Sequence, residues 1–165
     1  MFQTILVAIG ANLPAADGAL PLATCQWAVG KLAAIPGLRL HRVSRWFATR
    51  PIPASDQPDF VNGVALLGGD IDPADLLAAL HGIEAAAGRV RTGPNGARTL
   101  DLDLLAMDGL VVSTPALTLP HPRLQDRAFV LRPLLDVLPG WRHPVSGRAI
   151  EALLGDVSSQ VIEPL

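Results

Sequence analysis

Arg89-Val90-Arg91-Thr92-Gly93-Pro94-Asn95-Gly96-Ala97-Arg98-Thr99-Leu100-Asp101-Leu102-Asp103-Leu104-Leu105 is the stretch from which the rest of the chain is read. In its second half Leu100, Leu102 and Leu104 alternate with Asp101 and Asp103. Strand side chains switch faces at every residue, so the leucines fall on one side and both carboxylates on the other. This predicts a half-buried strand carrying an acidic pair. Carboxylates two residues apart lie roughly 6 to 7 Å from each other along a strand and repel, and they offer the oxygen ligands that Mg²⁺ prefers. Just before them, a loop with Gly93, Pro94 and Gly96 carries Arg89, Arg91 and Arg98, whose guanidinium forks suit phosphate oxygens. Together they read as a magnesium-polyphosphate site.

Either half has an ordinary alternative. An Asp-x-Asp pair also occurs on solvated strand faces, and a run of arginines is commonly a set of surface salt bridges. The remainder of the chain has to decide.

With 165 residues the chain suits one domain over 1–165, large enough to bury a core without disulfides. A net charge of −2 and a pI near 6.0 leave no global basic field for nucleic acid or an anionic membrane, so phosphate binding must be local. Neither is expected as a partner. Cys25, the single cysteine, reads as a core residue and suits a reducing, cytoplasmic setting. No positive region precedes the short apolar run Ile5–Ile9, so no signal peptide or membrane span is expected. Lys31 is the one lysine beside twelve arginines, and no glycine-rich loop ends on it, which excludes a P-loop.

Working outward, Thr4–Ile9 is apolar and β-branched, the pattern of a central strand covered on both faces. Cys25, Ala28, Leu32 and Ile35 predict a helix over Gly18–Ile35, stopped by Pro36-Gly37. Leu38–Thr49 reads as one antiparallel strand. Pro51, Pro53 and Pro58 make the following segment a stiffened loop. The strand Phe60–Leu67 then puts Phe60, Asn62, Val64 and Leu66 on one face, where an aromatic beside an amide can pack ordinarily or hold a flat heterocycle.

Asp72-Pro73-Ala74-Asp75 is a helix start, Leu76, Leu80, Ile83 and Ala87 its buried stripe, and Gly88 its end. His81 and Glu84 share another face of that helix, either as a solvated pair or as ligand contacts. Leu110–Ser113 reads as the return strand of a hairpin turning at Asp108-Gly109. His121, flanked by Pro120 and Pro122, projects from a rigid loop. Phe129–Leu138 has helical spacing, and a short amphipathic segment follows at Ile150–Leu154.

Taken together, these residues resemble the 6-hydroxymethyl-7,8-dihydropterin pyrophosphokinase family of folate biosynthesis. The likeness runs through Ile5–Leu13, Asp56-Gln57-Pro58-Asp59-Phe60-Val61-Asn62, Arg89-Val90-Arg91, Arg98-Thr99-Leu100-Asp101-Leu102-Asp103, Pro120-His121-Pro122 and Arg127-Ala128-Phe129. It implies an α/β (α+β) sandwich with a ferredoxin-like βαββαβ core, a mainly antiparallel sheet flanked by helices. It also implies transfer of the β,γ-diphosphate of ATP to the pterin hydroxymethyl group, releasing AMP, by a cytoplasmic monomer.

By the same resemblance, Asp101 and Asp103 are ligands of two Mg²⁺ ions, and Arg89 and Arg98 are catalytic arginines. ATP binding falls to His81, Glu84, Arg91, Leu104, Thr118, His121 and Arg127, with Glu84 on the ribose and Leu104 and Thr118 by the adenine. Thr49, Ile52, Phe60, Asn62 and Phe129 form the pterin site. The chain departs from the family at His81, where glutamine is usual, at Asn95 and Ala97 in the arginine loop, at Pro122, and at Ala11. A metal-dependent nucleotide hydrolase and a non-catalytic nucleotide-binding domain are the other readings of the same carboxylates.

Overall fold

In the computed structural model, which describes residues 3–15, 17–89 and 97–165, the expected first strand runs over Gln3–Ala11 (β1). Ile5, Val7 and Ile9 enter one apolar layer and Leu6 enters a second, so the strand is covered on both faces and carries no polar alternation. Helix α1 (Pro21–Ala33) starts with Pro21 in its first turn, where the missing N–H costs nothing, and buries Thr24, Cys25, Ala28 and Leu32. Gly37, at φ 83°, turns the chain out of it.

The single strand expected over Leu38–Thr49 is two: β2 (Leu38–Val43) and β3 (Phe47–Thr49). Both pair antiparallel with β4 (Phe60–Gly69), and the register shifts between Leu40 and Arg42. At the break the Ser44 hydroxyl accepts from Val64 N (2.8 Å) while Ser44 N donates to Val64 O (2.9 Å). A side chain thus takes over one rung of the ladder and lets the chain bend.

Helix α2 (Pro73–Ala86) is capped as its sequence predicts, the Asp72 carboxylate accepting from Ala74 N at 2.9 Å. Its stripe Leu76, Leu80, Ile83 and Ala87 is buried, and Gly88 at φ 83° closes it. Strand β5 (Asp101–Met107) pairs antiparallel with β1. The sheet order β5-β1-β4, with β2 and β3 beyond β4, completes the ferredoxin-like βαββαβ core. The buried residues of α1 and α2 pack on one face of this sheet. Helices α3 (Ala128–Val137) and α4 (Ile150–Asp156) cover the other.

Two further departures concern edges. The segment after Asp108-Gly109 does not return along β5: β6 (Val112–Ser113) pairs with β7 (Thr118–Leu119) in a small sheet of its own. Asp108 sits at φ 48° and is tied back to β1, its carboxylate accepting from Thr4 N at 2.7 Å, and the outer edge of β5 is met instead by His121 N donating to Leu105 O (2.8 Å). At the opposite edge the tail adds β8 (Ile162–Pro164) to β3, a strand with no signal in its sequence.

Candidate active site

The C-terminal end of β1, the start of β5 and the start of β4 lie side by side, with Gly10 opposite both Asn62 and Asp101. As the alternation demands, Leu100, Leu102 and Leu104 are buried while Asp101 and Asp103 face outward. They open on a cavity of about 360 Å³, also lined by His81, Glu84, Arg89, Arg98, Leu104, Thr118, His121 and Arg127. A second, narrower cavity of about 60 Å³ is lined by Gly10, Thr49, Ile52, Phe60, Asn62 and Phe129. Arg98, Asp101 and Arg127 line both, so the two cavities meet at these side chains. Every residue expected at the site therefore stands in one cavity or the other except Arg91, which lies outside the described residues together with Asn95.

Within the larger cavity the charges are paired unevenly. Asp101 is gripped at Oδ1 by Arg89 Nη1 (2.8 Å) and at Oδ2 by Arg98 Nη1 (3.0 Å). Asp103 has no hydrogen-bond or ion-pair partner among the described residues. Burial, then the neighbouring Asp101 charge, push its carboxyl up to about 7, against the pull of Arg127 and Arg98. His121 goes the other way: burial and the Arg127 guanidinium hold it down at about 4, so the ring is neutral at pH 7. Its Nδ1 accepts from Arg123 N (3.2 Å), which leaves the ring proton on Nε2. Arg127 lies with its guanidinium carbon 5.3 Å from the Phe129 ring centroid, a cation–π distance, and burial lowers its pKa.

The sequence matches the family model for 7,8-dihydro-6-hydroxymethylpterin-pyrophosphokinase (HPPK) over residues 6–139. The chain belongs to this family. Among its relatives, the 2-amino-4-hydroxy-6-hydroxymethyldihydropteridine pyrophosphokinase of Pseudomonas aeruginosa is 42% identical over 165 residues, covering 100% of this chain and 98% of that one. The enzyme of the same name from Synechocystis is 36% identical over 161 residues, 97% of this chain and 79% of its own. A Plasmodium falciparum HPPK-DHPS triple mutant has the same fold, with a TM-score of 0.74 at 12% identity. This chain is covered to 96% and spans 44% of that longer one. As an HPPK, the protein is a pyrophosphokinase that moves pyrophosphoryl from ATP to hydroxymethyldihydropterin in folate synthesis.

Several features of this HPPK escape a reading of sequence alone. Glu84 and His81 share a helix but not an environment: His81 is exposed, whereas Glu84 is buried, its Oε2 held by Arg89 Nη1 and by Leu102 N (2.9 Å). Glu84 thus fixes Arg89 against the start of β5. Asn12 is only 2% exposed and joins three segments. Its Oδ1 accepts from Arg98 N (2.8 Å), its backbone N donates to Arg98 O (3.0 Å), and its Nδ2 donates to Gln57 Oε1 (3.1 Å) and Pro58 O (3.0 Å). An amide following an apolar strand was the available signal. Gly10 is required by proximity, because a Cβ there would lie 2.7 Å from Asn62 Oδ1. The Asn62 Nδ2 donation to Thr49 Oγ1 (2.6 Å) fixes the Asn62 amide at the wall of the narrow cavity.

Proposed function

We propose that the larger cavity takes ATP and the narrower one the pterin, with the pyrophosphoryl group crossing where Arg98, Asp101 and Arg127 border both. The observation that carries this is the sharing of those side chains, since a transfer enzyme must bring two substrates to one wall. Phe60 and Phe129 flank the ring, and Asn62, Thr49 and Ile52 line its edge. A cavity of about 60 Å³ has to widen before a bicycle enters, and the proline loop bearing half-exposed Ile52 is the wall free to give. Adenine lies by Leu104 and Thr118, and His81 stands at the same rim.

Among the described residues the larger cavity sets Arg89, Arg98 and Arg127 against Glu84, Asp101 and Asp103, a balance that leaves a highly charged nucleotide uncompensated. No group of three His, Cys, Asp or Glu side chains gathers there among the described residues, so Asp101 and Asp103 would hold two Mg²⁺ ions with phosphate and water completing the shells, the usual habit of this ion. Asp103, without a partner among the described residues, fits that role, because a divalent cation offsets the burial and the Asp101 repulsion that raise its pKa. When bound, Mg²⁺ withdraws charge from the phosphate oxygens and orients them.

Arg98 then meets the charge that develops as the hydroxymethyl oxygen bonds to the β-phosphorus and AMP departs, while neutral His121 donates Nε2–H to a phosphate oxygen. Arg127 grips phosphate from the pterin side, and Arg91 is assigned to phosphate by its place in the family motif. Arg89 acts through Asp101, and the buried setting of Glu84 favours anchoring Arg89 over a contact with ribose. We further propose that residues 1–165 work as one domain, since one family model spans residues 6–139, and that the chain is a monomer in the cytoplasm, as the resemblance implies.

The test is product analysis with ATP, Mg²⁺ and the reduced pterin. AMP and the pterin diphosphate should form in equal amounts, and Arg98→Ala should lower kcat more than it weakens ATP binding. ADP formation, turnover without pterin, or equal losses in rate and affinity would count against the assignment.

A further inference from the structure

The narrow cavity and the arginine at its back are tied by one side chain. The proline loop that must give way to the pterin ends in Gln57 and Pro58, and both accept hydrogen bonds from Asn12 Nδ2 at 3.1 and 3.0 Å. Asn12 is buried, and its side-chain oxygen and backbone N hold Arg98: Oδ1 accepts from Arg98 N, and the backbone N donates to Arg98 O. Leu13 N donates to the same carbonyl at 3.0 Å, which fixes Arg98 from two adjacent amides. The tie joins three segments far apart in sequence: the end of β1, the loop before β4 and the residues before β5.

We infer that Asn12 is a positioning residue that carries the state of the pterin loop to Arg98. A planar amide has a donor end and an acceptor end in fixed relation, so a shift of the Gln57-Pro58 backbone rotates or translates the group that holds Arg98 N. Burial of Asn12 makes the link stiff, because its amide cannot turn away from these partners without leaving its own donor and acceptor unsatisfied. With the loop seated over the slot, as it is here, Arg98 is held at the border of both cavities; when the loop gives way, the same bonds draw on it. Arg98 thus keeps its working place while the loop is seated, and a displaced loop leaves the nucleotide facing a less complete site. This rests on the assignment of Arg98 to the transferring phosphate.

The experiment is a double-mutant cycle on kcat with saturating ATP and pterin, run on the full chain. Asn12→Ala should lower kcat by about 100-fold, the cost of a misplacement of about 1 Å, with the KM for ATP within about threefold of wild type. Combined with Arg98→Ala it should add less than about threefold to the loss from Arg98→Ala alone, because Asn12 acts through that arginine. Losses that multiply overturn the inference and leave the role of Arg98 standing. A wild-type rate in Arg98→Ala overturns that role and the inference together.

Gln57→Ala, at a partly exposed position, gives a variant whose folding is not at issue. It frees part of the loop and leaves Arg98 clamped, so the pterin KM should rise at least about threefold with kcat within about twofold, by the logic of an interaction removed equally from ground and transition states. An unchanged pterin KM overturns the proposed connection.

Discussion

Replacing Asp103 by asparagine should stabilise the metal-free protein while destroying its activity, and the structure fixes both the size and the pH window of the effect. Asp103 has no partner among the described residues, and its carboxyl is raised from 3.8 to about 7, first by burial and then by Asp101. The native state therefore binds this proton more tightly than the unfolded chain does. Stability falls as pH rises from about 4, and the loss is complete above pH 7. About three pH units at roughly 1.4 kcal/mol each amount to as much as about 4 kcal/mol at alkaline pH. The side-chain amide of the Asp103→Asn variant keeps the shape and has no charge to desolvate. In EDTA at pH 8 the melting temperature of this variant should exceed that of the wild type by roughly 8 to 16 °C, using about 2 to 4 °C per kcal/mol for a chain of this size. At pH 4 the two should melt together. Thermal melts across that range decide the matter: an Asp103→Asn variant that is less stable at pH 8, or equally displaced at both ends, refutes the reasoning about Asp103.

The same proton predicts that Mg²⁺ affinity, measured calorimetrically with a non-hydrolysable ATP analogue, falls about tenfold per unit below pH 7 and levels off above it, because the ion must displace the proton. A pH-independent affinity would contradict this. Gly10→Ala should raise the pterin KM about tenfold or more by driving a Cβ against Asn62 Oδ1 and disturbing the Asn62–Thr49 hydrogen bond, with ATP binding nearly unchanged; an unaltered pterin KM would show that the amide is not read. Cys25, fully buried with its thiol pushed up to about 12, should resist thiol reagents at pH 8 in the native protein and react at once after denaturation.

The sequence carried the βαββαβ core because its elements announce themselves locally. Leu100, Leu102 and Leu104 alternate with Asp101 and Asp103, and Asp72-Pro73 opens a helix whose stripe reads cleanly through to Gly88. Where the outcome depends on a partner strand, local pattern fails. Val43, Trp46 and Phe47 have strand character, but the break at Ser44 is imposed by its exchange with Val64, which no window of residues 38–49 contains. The edge of β5 likewise goes to His121 instead of the segment after Asp108-Gly109, a contest between distant candidates for one row of hydrogen bonds. β8 has three residues, one of them Pro164, and is a strand only because β3 offers an edge.

At the site the family motifs gave the cast, and the structure gives the working relations among its members. Motif spacing cannot tell that Arg89 is spent on Asp101 and Glu84, nor that Asp103 is the carboxylate left without a partner among the described residues. Asn12 was one polar residue after an apolar strand, and its reach to Arg98, Gln57 and Pro58 exists only once three segments have come together.

Central to the proposed mechanism is that Asp101 and Asp103 gather divalent ions where the two cavities meet. Titrating Mn²⁺ into the protein with a non-hydrolysable ATP analogue and counting bound ions by electron paramagnetic resonance tests it directly. The wild type should take up two ions per chain that the doubly substituted protein (Asp101→Ala with Asp103→Ala), still folded, does not retain. Equal uptake by both proteins would contradict it.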